Sequence, residues 1–138
     1  MTHDSSRCDQ NAPTRARIET WGTAFTDDSG AIFSEMAAPD VALEGSIFPE
    51  TINGRENVFR AMRLSASLYD RLNFVHQAVL PDRTYMEWAA TAFGLAISGV
   101  TVLTIDSDGW LVRIALHHRP LGVVQRFSAE FSDRLPRA

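Results

Sequence analysis

Two histidines, one glutamate and a group of aromatic side chains offer chemistry in this sequence. His118 ends a run in which Val112, Ile114, Leu116 and His118 alternate with Arg113, Ala115, His117 and Arg119. Such alternation marks a strand with one buried face, and it assigns the apolar set, His118 included, to the inside. The same reading puts His76 inside with Leu72, Phe74, Ala78 and Leu80, and Trp88 inside with Met86 and Ala90. A neutral imidazole can take or give a proton near neutral pH, so both histidines are candidate catalytic residues. Each is equally readable as a core residue whose ring nitrogens are satisfied by neighbours. Glu44 is the third candidate proton carrier, provided that its short strand turns it inward. In a regular strand Val41 and Leu43 take that side and Glu44 is solvated. Trp21, Phe33, Phe59, Met62, Trp88 and Leu116 are candidate substrate-binding walls, with Tyr85 and Thr101 as polar contacts, although aromatics at these spacings also build plain cores.

Other chemistries are excluded by residue type. All 13 cationic residues are Arg, which removes lysine Schiff bases. Cys8 is the single cysteine, so neither an intramolecular disulfide nor a cysteine metal site can form. His76, His118 and Glu44 follow no metal-ligand spacing, and no metal or organic cofactor is expected. Asp106 and Asp108 belong to a turn sequence, and Ser46, Ser65 and Ser67 lack a recognisable His-Asp arrangement.

The elements that must position these residues follow from periodicity. Residues 1–12 read as a flexible tail, and residues 13–138 as one domain. Ile18, Trp21 and Phe25 share a helical face, and Ile32, Phe33 and Met36 form the buried side of a second helix. Asp40–Gly45 reads as a short strand. Asn53 with Glu56 suits a helix N-terminus, followed by a stripe of Phe59, Met62, Ala66 and Tyr69. From Arg71 the period changes to two. Strands are expected at 72–80, 85–93, 100–105 and 110–119, with Gly94 and Gly99 bracketing one reversal and Asp106–Gly109 forming a hairpin turn. Pro120 opens a closing helix. Three helices cannot each find a sheet face unless the sheet bends around them. The expected fold class is therefore α+β: a strongly curved, four- to six-stranded, mostly antiparallel sheet wrapped around three N-terminal helices, cone-shaped with an internal pocket.

Composition agrees with an ordinary globular protein. The chain has 138 residues, 45% hydrophobic content and a formal net charge of −4, which gives no nucleic-acid footprint. No apolar run reaches the length of a membrane span, and the N-terminal stretch lacks a signal-like apolar region, so a cytoplasmic location is expected. The absence of Lys suggests a GC-rich bacterial genome.

The order of elements resembles the nuclear transport factor 2-like superfamily and its SnoaL-like branch. The resemblance is carried by Trp21…Phe25, by Asp40-Val41-Ala42-Leu43-Glu44-Gly45 with Asn53-Gly54-Arg55-Glu56-Asn57-Val58, and by Val102 to Gly109 with His118-Arg119-Pro120-Leu121. It implies proton-transfer chemistry of the cyclase, isomerase or dehydratase type on an apolar cyclic molecule, or a non-catalytic ligand-binding or assembly module. Glu44 falls where ketosteroid isomerases carry their general base, but the positions of their oxyanion-hole tyrosine and aspartic acid are here Trp21 and Thr101. SnoaL-type cyclases place a carboxylate near the end of the last strand, where this chain has His117-His118-Arg119. The resemblance also implies a homodimer formed through the outer sheet face, with Gln77, Glu87, Arg113 and His117 as its mixed surface.

Overall fold

The computed structural model describes residues 21–24 and 29–135. The expected tail and most of the first helix, Ile18 and Phe25 included, lie outside the described residues. A 3-10 turn at Trp21–Thr23 precedes α1 (Ala31–Met36), β1 (Ala37–Gly45), β2 (Ile52–Asn53) and α2 (Arg55–Leu68). Then follow β3 (Asp70–Val79), β4 (Arg83–Ala92), β5 (Leu95–Ile105), β6 (Leu111–Arg119) and α3 (Leu121–Arg134).

The six strands form one sheet in the order β2-β1-β6-β5-β4-β3, open at both edges. The meander β3 to β6 is antiparallel, as the alternation predicts, and β1 joins it by pairing parallel to β6. Helices α2 and α3 pack against each other, α2 also against β1 and α3 against β5 and β6. The fold is therefore α+β with one covered sheet face. Its core contains Phe33, Leu43, Ile97, Leu103, Ile114, Phe127 and Phe131, all 2% exposed or less. Removing such side chains from water is the main favourable term in folding.

Local sequence explains most of these elements. On α2 the buried residues are Val58, Ala61, Met62, Ser65 and Leu68, a stripe at helical spacing. This is rotated from the expected stripe: Ala66 faces solvent, and Tyr69 lies beyond the helix end with extended backbone. Gly54 rather than Asn53 occupies the N-cap, with no side-chain cap bond. The Asp106 turn is as expected, Oδ1 accepting the backbone N–H groups of Asp108 at 3.0 Å and Trp110 at 2.9 Å. The β4–β5 reversal is made by Phe93 (φ 56) and Gly94 (φ 75), positive at both positions as a tight hairpin requires.

Gly99 does not bracket that reversal. It sits within β5 between Trp88 on β4 and His118 on β6. A Cβ there would run into the His117 carbonyl and come within 2.7 Å of the Trp88 ring. The missing side chain makes room for the indole, which links this position directly to the polar group described next.

Candidate active site

Strand register decides which candidates meet. On β6, Ile114, Leu116 and His118 face inward, opposite Leu103, Thr101 and Gly99 of β5. On β4, Thr84, Met86, Trp88 and Ala90 are buried and face the same side. Trp88, Leu116 and His118 thus share one patch of the covered face, as the alternation predicts, and Thr101 of β5 joins them.

Other expectations are corrected by geometry. Phe74 pairs with Trp88, but His76 pairs with the very next residue, Glu87, so Val75 is an extra residue on β3. Such a bulge reverses the parity of everything after it. His76 and Ala78 therefore turn to the outer face with Glu87 and Tyr85, while Gln77 and Val79 turn inward opposite Met86 and Thr84. His76 is exposed and separated from His118 by the sheet, and Gln77 leaves the expected outer surface. Tyr85 is also on the outer face, 39% exposed.

Glu44 pairs with Ala115 on the outer face, whereas Val41 and Leu43 are fully buried. Its carboxylate accepts a hydrogen bond from Arg113, a partner on the same solvent-facing side. The regular-strand alternative is the one adopted. Trp21, Phe33 and Met62 are buried core residues, and the Phe33 and Phe59 ring centroids lie 5.8 Å from each other.

The residue that sequence reading missed is Tyr69. Its hydroxyl is hydrogen-bonded to His118 Nε2, and the two rings lie nearly parallel with centroids 6.0 Å apart. Trp88 meets both edge-on, 5.2 Å from Tyr69 and 5.1 Å from His118. Phe127 of α3 closes the group at 4.9 Å from Tyr69 and 5.6 Å from His118. The indole is itself fixed, since Trp88 Nε1–H donates to Thr101 Oγ1 at 3.1 Å. The end of β6 is held by the loop after β1: the His118 backbone N–H donates to Ser46 Oγ at 3.1 Å, and the Ser46 N–H to the Leu116 carbonyl at 3.0 Å.

These surroundings set the protonation states. Burial pushes His118 down to about 4, His117 adding to the shift by charge repulsion and the Leu116 carbonyl opposing it. Burial pushes the Tyr69 phenol above its ordinary value, with a Ser65 hydrogen bond acting the other way. Both groups are neutral at pH 7. In the neutral tautomer in which Tyr69 O–H donates to Nε2, the ring proton is on Nδ1. Nδ1 is buried and makes no hydrogen bond of ordinary geometry, although the Leu116 backbone lies close enough to favour the charged ring. An orphaned buried donor is rare in folded proteins and costs about 1–3 kcal/mol unless something accepts from it.

Among the described residues no group of three or more His, Cys, Asp or Glu side chains could hold a metal ion, and no helix is long and apolar enough to cross a membrane. The inward polar groups near Tyr69 and His118 are Ser65 and Thr101.

No family model and no curated protein matches the sequence. Solved structures do. A steroid delta-isomerase from Pseudomonas aeruginosa matches with a TM-score of 0.79 and 18% identity, over 89% of this chain and 91% of that one. A protein from Jannaschia sp. proposed to be a SnoaL-like polyketide cyclase matches with a TM-score of 0.65 and 18% identity, over 88% of this chain and 93% of that one. A de novo designed protein with a curved β-sheet matches at 0.71 and 20% identity, over 90% and 98%. The chain therefore has the nuclear transport factor 2-like, SnoaL-like cone fold that its sequence resembles. A natural isomerase and a designed protein share the architecture, so the fold alone does not assign an activity.

Proposed function

We propose that this chain is a cofactor-independent enzyme of the isomerase or cyclase type, acting on an apolar cyclic carbonyl compound, with Tyr69 and His118 as its reactive pair. The observation that carries this reading is the buried, unpartnered Nδ1 of a ring held neutral at pH 7. A group with a conjugate acid near 4 is a weak base, so His118 does not collect protons as a histidine of ordinary pKa would. Its neutral Nδ1–H is instead a hydrogen-bond donor aimed at a substrate carbonyl oxygen. As the α C–H bond breaks, its electron pair moves into the carbonyl to give an enolate, and the proton passes to water. Nδ1–H stabilises the oxygen on which the charge grows. Tyr69 holds the tautomer by donating to Nε2, and Trp88 and Phe127 keep the surroundings apolar. Glu44 and His76 have no part in this, because both lie on the outer face.

A second reading rests on a different observation: among the described residues, no carboxylate stands beside the pair as a base. In that case the same donor recognises a carbonyl ligand without turning it over, and the chain is a binding module. Thermal unfolding with a panel of cyclic ketones, aromatic polyketide-like ketones and terpenoid epoxides tests the carbonyl site common to both. A ketone at 100 times its Kd raises stability by about 2.7 kcal/mol in the wild type and in Glu44→Gln. The gain should vanish in His118→Phe. An equal gain in His118→Phe, or none with any ketone, would reject the site. Exchange of α-hydrogen for deuterium in the bound ketone then separates enzyme from binding module.

The outer sheet face is proposed as the contact of a homodimer. Among the described residues no helix covers it, and it presents Val100, Val102 and Tyr85 beside the Arg113–Glu44 and Arg119–Glu87 ion pairs. Light scattering on a sizing column should return twice the mass of one chain. A single-chain mass at 100 µM would dismiss the dimer.

A further inference from the structure

β3 ends the sheet as a long apolar edge. β4 pairs with one side of it, no strand pairs with the other among the described residues, and all ten of its residues are exposed. Phe74, Val75, Val79 and Leu80 leave 43% to 54% of their surface in water. No Asp, Glu, Lys or Arg interrupts residues 72–81. Edge strands are usually shortened or guarded by charge, because their free N–H and C=O groups pair with another extended chain. The Leu80 N–H is given to the Arg83 carbonyl of β4. Alternate residues of an antiparallel ladder turn the other way, so the backbone groups of Val79 and Gln77 point to the open edge.

Charge indicates the occupant. Arg71 near the start of the strand and Asp82 just past its end are both exposed, and neither makes an ion pair among the described residues. A second copy laid antiparallel, about a two-fold axis between His76 and Gln77, brings each Arg71 opposite the other copy's Asp82. The same register sets Phe74 opposite the other copy's Val79, and both residues turn inward in their pairing with β4. Apolar side chains then meet on one face and opposite charges close both ends. A parallel copy would set Arg71 beside Arg71 and Asp82 beside Asp82. We propose that β3 is a self-pairing edge, at which two copies of this chain join antiparallel into one continuous sheet. The contact is separate from the outer-face dimer proposed above and adds to it, using the same patch on both chains.

Sedimentation equilibrium of the full chain from about 10 µM to about 1 mM tests this. The wild-type mass should rise with concentration above the unit present at the lowest one. Arg71→Asp and Asp82→Arg each set like charges opposite one another at both ends, and each should weaken that step about tenfold. Both side chains are exposed, and the φ of 53 at Arg71 is a conformation that Asp adopts readily. An equal mixture of the two variants should associate as the wild type does, because each supplies the charge that the other lacks. A wild-type mass that does not rise overturns self-pairing and leaves the edge to an extended segment of another protein. A rise that survives both reversals puts the contact elsewhere and overturns it too. Reversals that abolish the rise without recovery in the mixture overturn the two-fold register. The unit at the lowest concentration reports on the outer face alone, so the two contacts fail separately.

Discussion

His118→Phe should slow α-hydrogen exchange in a bound cyclic ketone by about 10²–10³-fold in kcat, the usual loss when one donor to a developing oxyanion is removed. Phenylalanine preserves the ring that packs against Trp88 and Phe127, so the change deletes the two nitrogens with little loss of volume. His118→Gln, which offers an N–H from a similar position, should recover part of the rate. Tyr69→Phe should cost less, about tenfold, because it removes the acceptor-fixing hydrogen bond to Nε2 and lets the ring choose its tautomer, while Nδ1–H stays available in part. The pH profile separates this role from general-base catalysis. A histidine base of ordinary pKa loses activity as pH falls through about 6.5. A neutral donor whose protonation lies at about 4 keeps kcat flat from pH 8 to pH 5, because Nδ1–H is present throughout that range. A profile that bends near 6.5, or a His118→Phe variant within threefold of wild type, would remove His118 from this role.

The parts of this site that were legible in the sequence are those where a local pattern runs uninterrupted. β6 alternates without a break from Arg113 to Arg119, so His118 could be placed inside with Ile114 and Leu116, and Trp88 follows in the same way from Met86 and Ala90. β3 looks just as regular, yet Val75 is inserted between the pairs Phe74–Trp88 and His76–Glu87. A bulge is decided by the partner strand, and no property of Val75 announces it. Glu44 shows the converse, since the regular strand that put it outside was readable from Val41 and Leu43, and only the family resemblance argued against it. Tyr69 was hidden by a helix pattern that continues one residue too far. Its real position depends on α2 ending at Leu68 and on an extended residue turning back toward β6. Gly99 reads as a turn residue in isolation, and its purpose becomes visible only once Trp88 and the His117 backbone close in from both sides.

Acid should destabilise the wild type more than His118→Phe, by about 3 kcal/mol between pH 7 and pH 4. The sign follows from where the protons go. In the unfolded chain His118 titrates near its ordinary 6.5, whereas burial holds it at about 4 in the folded protein. Between those values the unfolded chain binds the extra proton, so folding stability falls steadily as pH drops from about 6.5 and levels off below about 4. Groups other than His118 are common to both proteins and cancel in the difference. His117→Gln provides an internal check. Removing that neighbouring positive charge relieves part of the depression of His118, so this variant should lose slightly less stability than wild type over the same range. Urea unfolding at half-unit pH steps measures all three curves. Parallel curves for wild type and His118→Phe would mean that water reaches the ring freely, and the orphaned Nδ1 would then need no ligand to explain it. A wild-type curve that diverges below pH 6.5 places an uncharged imidazole among Tyr69, Trp88 and Phe127, where a hydrogen-bond donor retains most of its strength toward a carbonyl oxygen.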